Sequence, residues 1–322
     1  MTTAEPPERA PSTPLDAFRE DRTYLGADHR RNERRTWIVT AICMATLVAL
    51  VIGGAATRSM ALVANGLHMA AHVVALLVAA AAYALARRHA ENPAFSFGTG
   101  KIGYLAGFAN AVVLAVTAVL IAAESVTRLL NPETVDYKDA LPIAAGGLVV
   151  NLVCIWLLKP TGVTAARNDP QGDLNLSAAH LHLSADAAVS VLALAAIGAG
   201  QWLGLSFADP LAGLLAAVLV AHFAWTLLRK AGAALVDLNP SPELTAEVRR
   251  RLSDEGETVI DLHLWRLGPG HHAVIAVIAA DPPRPVATYR ARLAGLAGLS
   301  HVTIEVRGGG AAHDHHHGHA HG

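Results

Sequence analysis

Long apolar runs separated by short polar breaks dominate the chain from Thr36 to Leu228. Six runs can be drawn: Thr36–Thr57, Met60–Ala86, Gly103–Leu130, Ala140–Leu158, Leu174–Leu203 and Pro210–Leu228. Each comes close to or exceeds the roughly 20 residues that carry an α-helix across a hydrocarbon core. The pattern therefore predicts a polytopic α-helical membrane protein with six transmembrane helices. After Asp237 the pattern changes. Thr258–Arg266, His272–Ala279 and His301–Val306 alternate as strands do, while Pro242–Leu252 and Pro285–Ala297 have helical periodicity. The order α-β-β-α-β predicts a compact C-terminal α+β domain of ferredoxin-like type. The expected layout is a disordered N-terminal tail at 1–35, a membrane domain at 36–230, a cytoplasmic domain at 236–307 and a His-rich tail at 308–322.

Basic residues set the expected orientation. Arg30, Arg31, Arg34 and Arg35 precede the first run, and Arg87, Arg88 and Lys101 follow the second. Lys159 and Arg167 follow the fourth, and Arg229 and Lys230 the sixth. The other connections are poorer in Lys and Arg, so both termini are expected in the cytoplasm and the protein in the inner membrane. The polar N-terminus lacks the short charged start of a secretory signal, which leaves insertion to the first helix.

Composition narrows the function classes. The chain is 53% hydrophobic and 16% charged, against about 25% charged in soluble domains. A net charge of −1, with no basic, aromatic-rich patch, argues against nucleic acid as a partner. Cys43 and Cys154 both fall in apolar runs and form no CxxC pair; they read as small core residues rather than a disulfide framework or zinc ribbon.

The chemistry sits inside the oily segments. Asn65, His68 and His72 follow i, i+3, i+7 in the second run, and His182, Asp186 and Ser190 follow i, i+4, i+8 in the fifth. Residues at these spacings share a helix face. An Asp at the centre of a membrane helix costs about 2.5–3.5 kcal/mol on insertion scales, and such groups mark ion or proton paths. Three imidazoles and a carboxylate form a usual ligand set for a divalent transition metal. His68, His72, His182 and Asp186 are the expected ligands, with Asn65 orienting a ligand or packing. His180, about 200° around the helix from His182, reads as an interhelical hydrogen bonder. Asn110, Glu124, Asn151 and His222 read as helix-to-helix polar contacts or positions near helix ends.

One carboxylate leaves a divalent ion with a net charge of about +1, and imidazole must lose its proton to bind metal. Metal and protons would thus exchange, with histidine titrating near neutral pH. Intramembrane zinc metallopeptidase chemistry is the rival from another class. It needs Glu in H-E-x-x-H, and Met69 stands in that place in His68-Met-Ala-Ala-His72. A metal-binding scaffold without transport is a further rival. No resident cofactor is required by the transport reading; metal ions, protons and lipid are the expected partners.

At these residues the chain resembles the cation diffusion facilitator family, over nearly everything from Trp37 to Val306. The carrying segments are Ser59-Met-Ala-Leu-Val-Ala-Asn-Gly-Leu-His-Met-Ala-Ala-His72, Phe95-Ser-Phe-Gly-Thr-Gly-Lys101, His182-Leu-Ser-Ala-Asp186 and Asp261-Leu-His-Leu-Trp-Arg-Leu-Gly-Pro-Gly-His271. The resemblance implies a homodimer of six-helix protomers whose cytoplasmic domains touch. It also implies export of divalent cations against protons, with His68, His72, His182 and Asp186 at the transport site. His72 stands where zinc exporters of the family usually carry Asp. This looks like the branch called DmeF, associated with cobalt and nickel; zinc efflux by the same mechanism remains the alternative.

Two further metal-binding elements are expected. If the first and last strands of the C-terminal domain were neighbours, His263, His301 and Glu305 would meet as a second metal site; the bland reading is a solvated or dimer-contact face. The tail His313-Asp-His-His-His-Gly-His-Ala-His321 has a metal-attracting composition and stands in for the His-rich loop that family members often carry between helices four and five.

Overall fold

The structure, a computed structural model, describes residues 23–57, 60–131, 137–159, 173–203 and 207–308. Among the described residues six long helices come first: α1 (His29–Thr57), α2 (Met60–Arg88), α3 (Ile102–Leu130), α4 (Tyr137–Leu158), α5 (Leu174–Leu203) and α6 (Ala208–Leu235). Among the described residues, stretches of α1, α3, α5 and α6 are long and apolar enough to cross a membrane, and Ala144–Leu158 of α4 is a shorter apolar stretch. Their outer faces carry exposed large apolar side chains such as Val119, Trp156, Val218 and Trp225. Apolar faces all round are what a lipid solvent selects and water does not. The protein is a multi-pass membrane protein.

Packing divides the helices into two groups joined by α5. Val39 and Cys43 of α1, Val73, Leu76 and Ala79 of α2, Cys154 and Leu158 of α4, and Ala179 and Leu183 of α5 form one buried cluster. The other side of α5 reaches α3 and α6, where Ala185 packs with Leu114, Ala118, Val220 and Ala224. Small side chains let α3 and α6 approach closely. At Gly213 of α6 an added Cβ would overlap Ser125 of α3.

The polar start of α1 differs from expectation. Residues 23–35, expected in a disordered tail, are ordered against the rest of the protein. The helix begins at His29, and Asn32 and Glu33 are buried. Arg87 clasps Glu33 through two bonds of 2.9 and 3.1 Å. The Asn32 amide donates to Asp173 Oδ2 at 2.9 Å, and the Tyr83 hydroxyl donates to the same oxygen. Asp173 also caps α5, its Oδ1 accepting the Leu176 N–H at 3.1 Å; a capping carboxylate satisfies an otherwise orphaned donor of the first turn. Residues 1–22 and the His-rich tail from 309 lie outside the described residues.

The C-terminal domain follows as α7 (Pro242–Leu252), β1 (Glu257–Gly268), β2 (His271–Ala280), α8 (Val286–Leu293) and β3 (Leu299–Gly308). Ser241 caps α7 by accepting the Leu244 N–H. The sheet order is β1-β2-β3, with β1 antiparallel and β3 parallel to β2. Val248 and Leu252 of α7 and Tyr289 and Leu293 of α8 cover one face, over Leu264, Val274, Ala276, Ile278 and Ile304. A register shift in β1 falls between Val259 and Asp261. In consequence Val259, not Ile260, joins the core: Val259 is 4% exposed and Ile260 53%.

The domain meets the membrane helices at the α2–α3 turn. Phe97 lies edge-on to Trp265 and His301, with ring centroids 5.5 and 6.0 Å apart. Lys101 pairs with Asp237. Tyr24 is buried with Leu267 and Ala273, and the Tyr24 carbonyl fills the seam between Gly100 and Gly268. An added Cβ on Gly100 would stand 2.6 Å from that oxygen and 2.8 Å from Gly268 Cα. These glycines are required by close approach of main chain, not by backbone angle.

Candidate functional site

Three of the four expected ligands have described side chains, and they converge. His72 of α2 is 4% exposed, His182 of α5 4% and Asp186 of α5 9%. His72 Nδ1 lies 2.7 Å from His182 Nε2, and His72 Nε2 lies 3.1 Å from Asp186 Oδ1. The one-turn spacing of His182 and Asp186 lets both reach the same imidazole from α5. Asn65 and His68 lie on the described backbone of α2, on the helix that bears His72, but their side chains are outside what the structure describes.

The three groups are engaged with one another rather than splayed around a vacant centre. Among the described residues no set of three His, Cys, Asp or Glu side chains takes a metal-holding arrangement. Both ring nitrogens of His72 are within hydrogen-bond distance of a partner. An imidazole in this setting donates N–H to the carboxylate and either accepts from or donates to the second imidazole, according to its protonation. A cation would compete with these protons for the same lone pairs.

One polar residue expected at a helix-to-helix contact touches the site. Asn151 of α4 is 2% exposed, and its Nδ2 donates to Asp186 Oδ2 at 2.5 Å. It is a helix-to-helix contact, as its isolation in an apolar run suggested, but its partner is the site carboxylate. Which helix face of α4 meets α5 is a tertiary fact that one polar residue in a run cannot announce. Ser190 turns back to the Asp186 carbonyl at 2.9 Å. Among the described residues His180 meets Ser184 of its own helix, at 3.3 Å, rather than a neighbouring helix. Asn110 donates to the Ala75 carbonyl of α2 at 3.2 Å, a helix-to-helix tie of the expected kind. Glu124 pairs with Arg128 at 2.8 Å on the exposed face of α3. Met69, in the place a metallopeptidase gives to Glu, is buried in the apolar cluster of α1, α2, α4 and α5.

The C-terminal candidates are not brought together. β2 lies between β1 and β3, so the expected adjacency of first and last strands fails. His263 faces Ile275, which faces Thr303, which puts roughly two strand spacings, about 9–10 Å, between the outer positions. His263 bonds Asp261 at 2.8 Å, Glu305 bonds Arg307 at 2.7 Å, and His301 stands against Phe97. Within one chain this face is a polar surface and an interdomain contact, not a metal cluster.

Comparison with known proteins matches this architecture. Residues 36–236 fit the family model described as the cation efflux transmembrane domain. The zinc transporter ZitB of Escherichia coli is 32% identical over 240 residues, 74% of each chain. The cadmium, cobalt and zinc/H(+)-K(+) antiporter of Bacillus subtilis is 28% identical over 300 residues, 90% of this chain and 94% of that protein. The metal cation efflux system protein CzcD of Cupriavidus metallidurans is 29% identical over 293 residues, 87% of this chain and 90% of that protein. With a histidine-carboxylate centre buried between α2 and α5 and the family's membrane domain spanning most of the chain, this protein belongs to the cation diffusion facilitator family.

Proposed function

We propose that this protein exports divalent transition-metal cations from the cytoplasm in exchange for protons, with cobalt and nickel preferred. The observation that carries the reading is the His72 ring, held between His182 Nε2 at 2.7 Å and Asp186 Oδ1 at 3.1 Å. A cation bound here would take the lone pairs at which these groups share protons, so loading and deprotonation are one event. His68 completes the ligand set. Asn151 holds the second oxygen of Asp186 and leaves the first for the ion.

The accompanying reading is of six spans, both termini in the cytoplasm of the inner membrane, a ferredoxin-like cytoplasmic domain and a homodimer. Six apolar runs in the sequence, the basic residues at their ends and the α-β-β-α-β order support it. His72 in place of a carboxylate supports cobalt and nickel through its extra nitrogen ligand. Zinc is the second reading, favoured by the zinc named for the Escherichia coli and Bacillus subtilis relatives and by the fit of imidazole to all three metals.

The test is flux into proteoliposomes with Co2+, Ni2+, Zn2+ and Mn2+ under an imposed pH gradient, with internal pH followed in parallel. Metal movement that is coupled to opposite proton movement and lost in Asp186→Ala is the expected result. Saturable binding without flux would replace transport by a binding role, and a Zn2+ rate above those of Co2+ and Ni2+ would move the preference to zinc.

A further inference from the structure

Cys43 and Cys154 are the only cysteines in the chain, and the fold brings them together across 111 positions of sequence. Both are fully buried, one on α1 and one on α4, with their Sγ atoms 3.8 Å apart. Two sulfurs each about 2.3 Å from one tetrahedral ion stand about 3.8 Å apart. The pair is thus already spaced as one edge of a tetrahedral metal–thiolate site. Cys154 follows Asn151 by three residues and so shares its face of α4, about one turn from the amide that holds Asp186. Met69, buried in the same cluster, adds a thioether to a region already rich in soft sulfur.

We propose that Cys43 and Cys154 form a two-thiolate binding site for a thiophilic divalent cation, separate from the histidine-carboxylate centre. The step is M2+ + 2 RSH → M(SR)2 + 2 H+: two S–H bonds break, two metal–sulfur bonds form, and both protons leave to solvent. Its charge balance suits its surroundings. Two thiolates cancel the charge of a dication, and a neutral complex can rest in an apolar cluster where an uncompensated charge could not. Soft thiolates favour ions such as Cd2+ and Zn2+ over Mn2+, whereas the nitrogen and oxygen donors nearby discriminate less. A bound ion would bridge α1 to α4.

The proposal does not depend on transport, and its test separates the two. The full chain in detergent is titrated with Cd2+ alone while the ultraviolet sulfur-to-cadmium charge-transfer band and proton release are followed. Only these two cysteines can give the band; histidine-rich segments bind cadmium without it. The expected result is a band saturating at one ion per chain, lost in Cys43→Ser and in Cys154→Ser together with the two protons that accompany it, but kept in Asp186→Ala. Absence of the band from the unaltered protein overturns the proposal without reference to any variant. So does a half-intensity band in each single Ser variant, which would mean two separate thiols.

Discussion

Asn151 on α4 and Asp186 on α5 are joined by a 2.5 Å hydrogen bond from side-chain amide to carboxylate. The bond fixes one carboxylate oxygen and leaves the other, Oδ1, against His72. Partners behind a metal ligand typically change affinity by 10–100-fold when lost. Asn151→Ala should therefore weaken metal binding about tenfold or more while the protein stays folded, as read by calorimetric titration and circular dichroism. Unchanged affinity would reduce Asn151 to a packing residue.

His72 touches both other described members of the site. Replacing it by Asp exchanges a neutral nitrogen donor for an anionic oxygen and should move selectivity in flux assays away from Co2+ and Ni2+ toward Zn2+. If the order of rates among the three metals does not change, the nitrogen donor at this position does not set the preference.

The seam at Tyr24 has no room for a methyl group. Gly100→Ala and Gly268→Ala should each cost on the order of 1–3 kcal/mol, the usual range for overpacking, and loosen the segment that precedes α1. Faster proteolysis near Thr23, with helix content preserved, is the expected readout; protection equal to that of the unaltered chain would contradict the contact.

Glu257 gives the C-terminal domain a defined pH response. Burial pushes its carboxyl up, but Arg292 at 2.6 Å, the Tyr289 hydroxyl at 2.9 Å and Arg284 at 3.1 Å outweigh this and hold it below its ordinary value of 4.5. A depressed carboxylate stabilises the fold above its unfolded value, and that contribution fades as pH falls through the folded one. Hydrogen-exchange protection in β1 and α8, measured relative to the intrinsic rate at each pH, should accordingly fall as pH drops below about 4.5, and Glu257→Gln should flatten the response. An identical pH profile in the variant would assign the effect to other groups.

Much of this was legible in the pattern of apolar positions. Helix α5 has the bounds drawn from sequence, Leu174–Leu203, because its apolar run begins directly after its capping Asp173. Helices α1 and α6 run seven residues further than expected at their polar ends. Hydropathy marks what lipid covers, whereas the helical backbone continues wherever side chains such as Glu33 find partners. The shared face of His182 and Asp186 was readable because one-turn spacing on a helix is a local rule. The failure at His263, His301 and Glu305 is of the other kind: strand order is not local, and the alternation of β1 and β3 says nothing of β2 lying between them. The same limit hid the Cys43–Cys154 contact, since neither apolar run shows which face it turns to the other.

The meeting of Gly100, Gly268 and the Tyr24 carbonyl is a junction of main chain with main chain. A joint made of side chains can absorb a push by changing rotamer; one made of backbone has no such play. Tilting of the sheet would thus be delivered undiminished to the head of α3, as through a coupling without backlash.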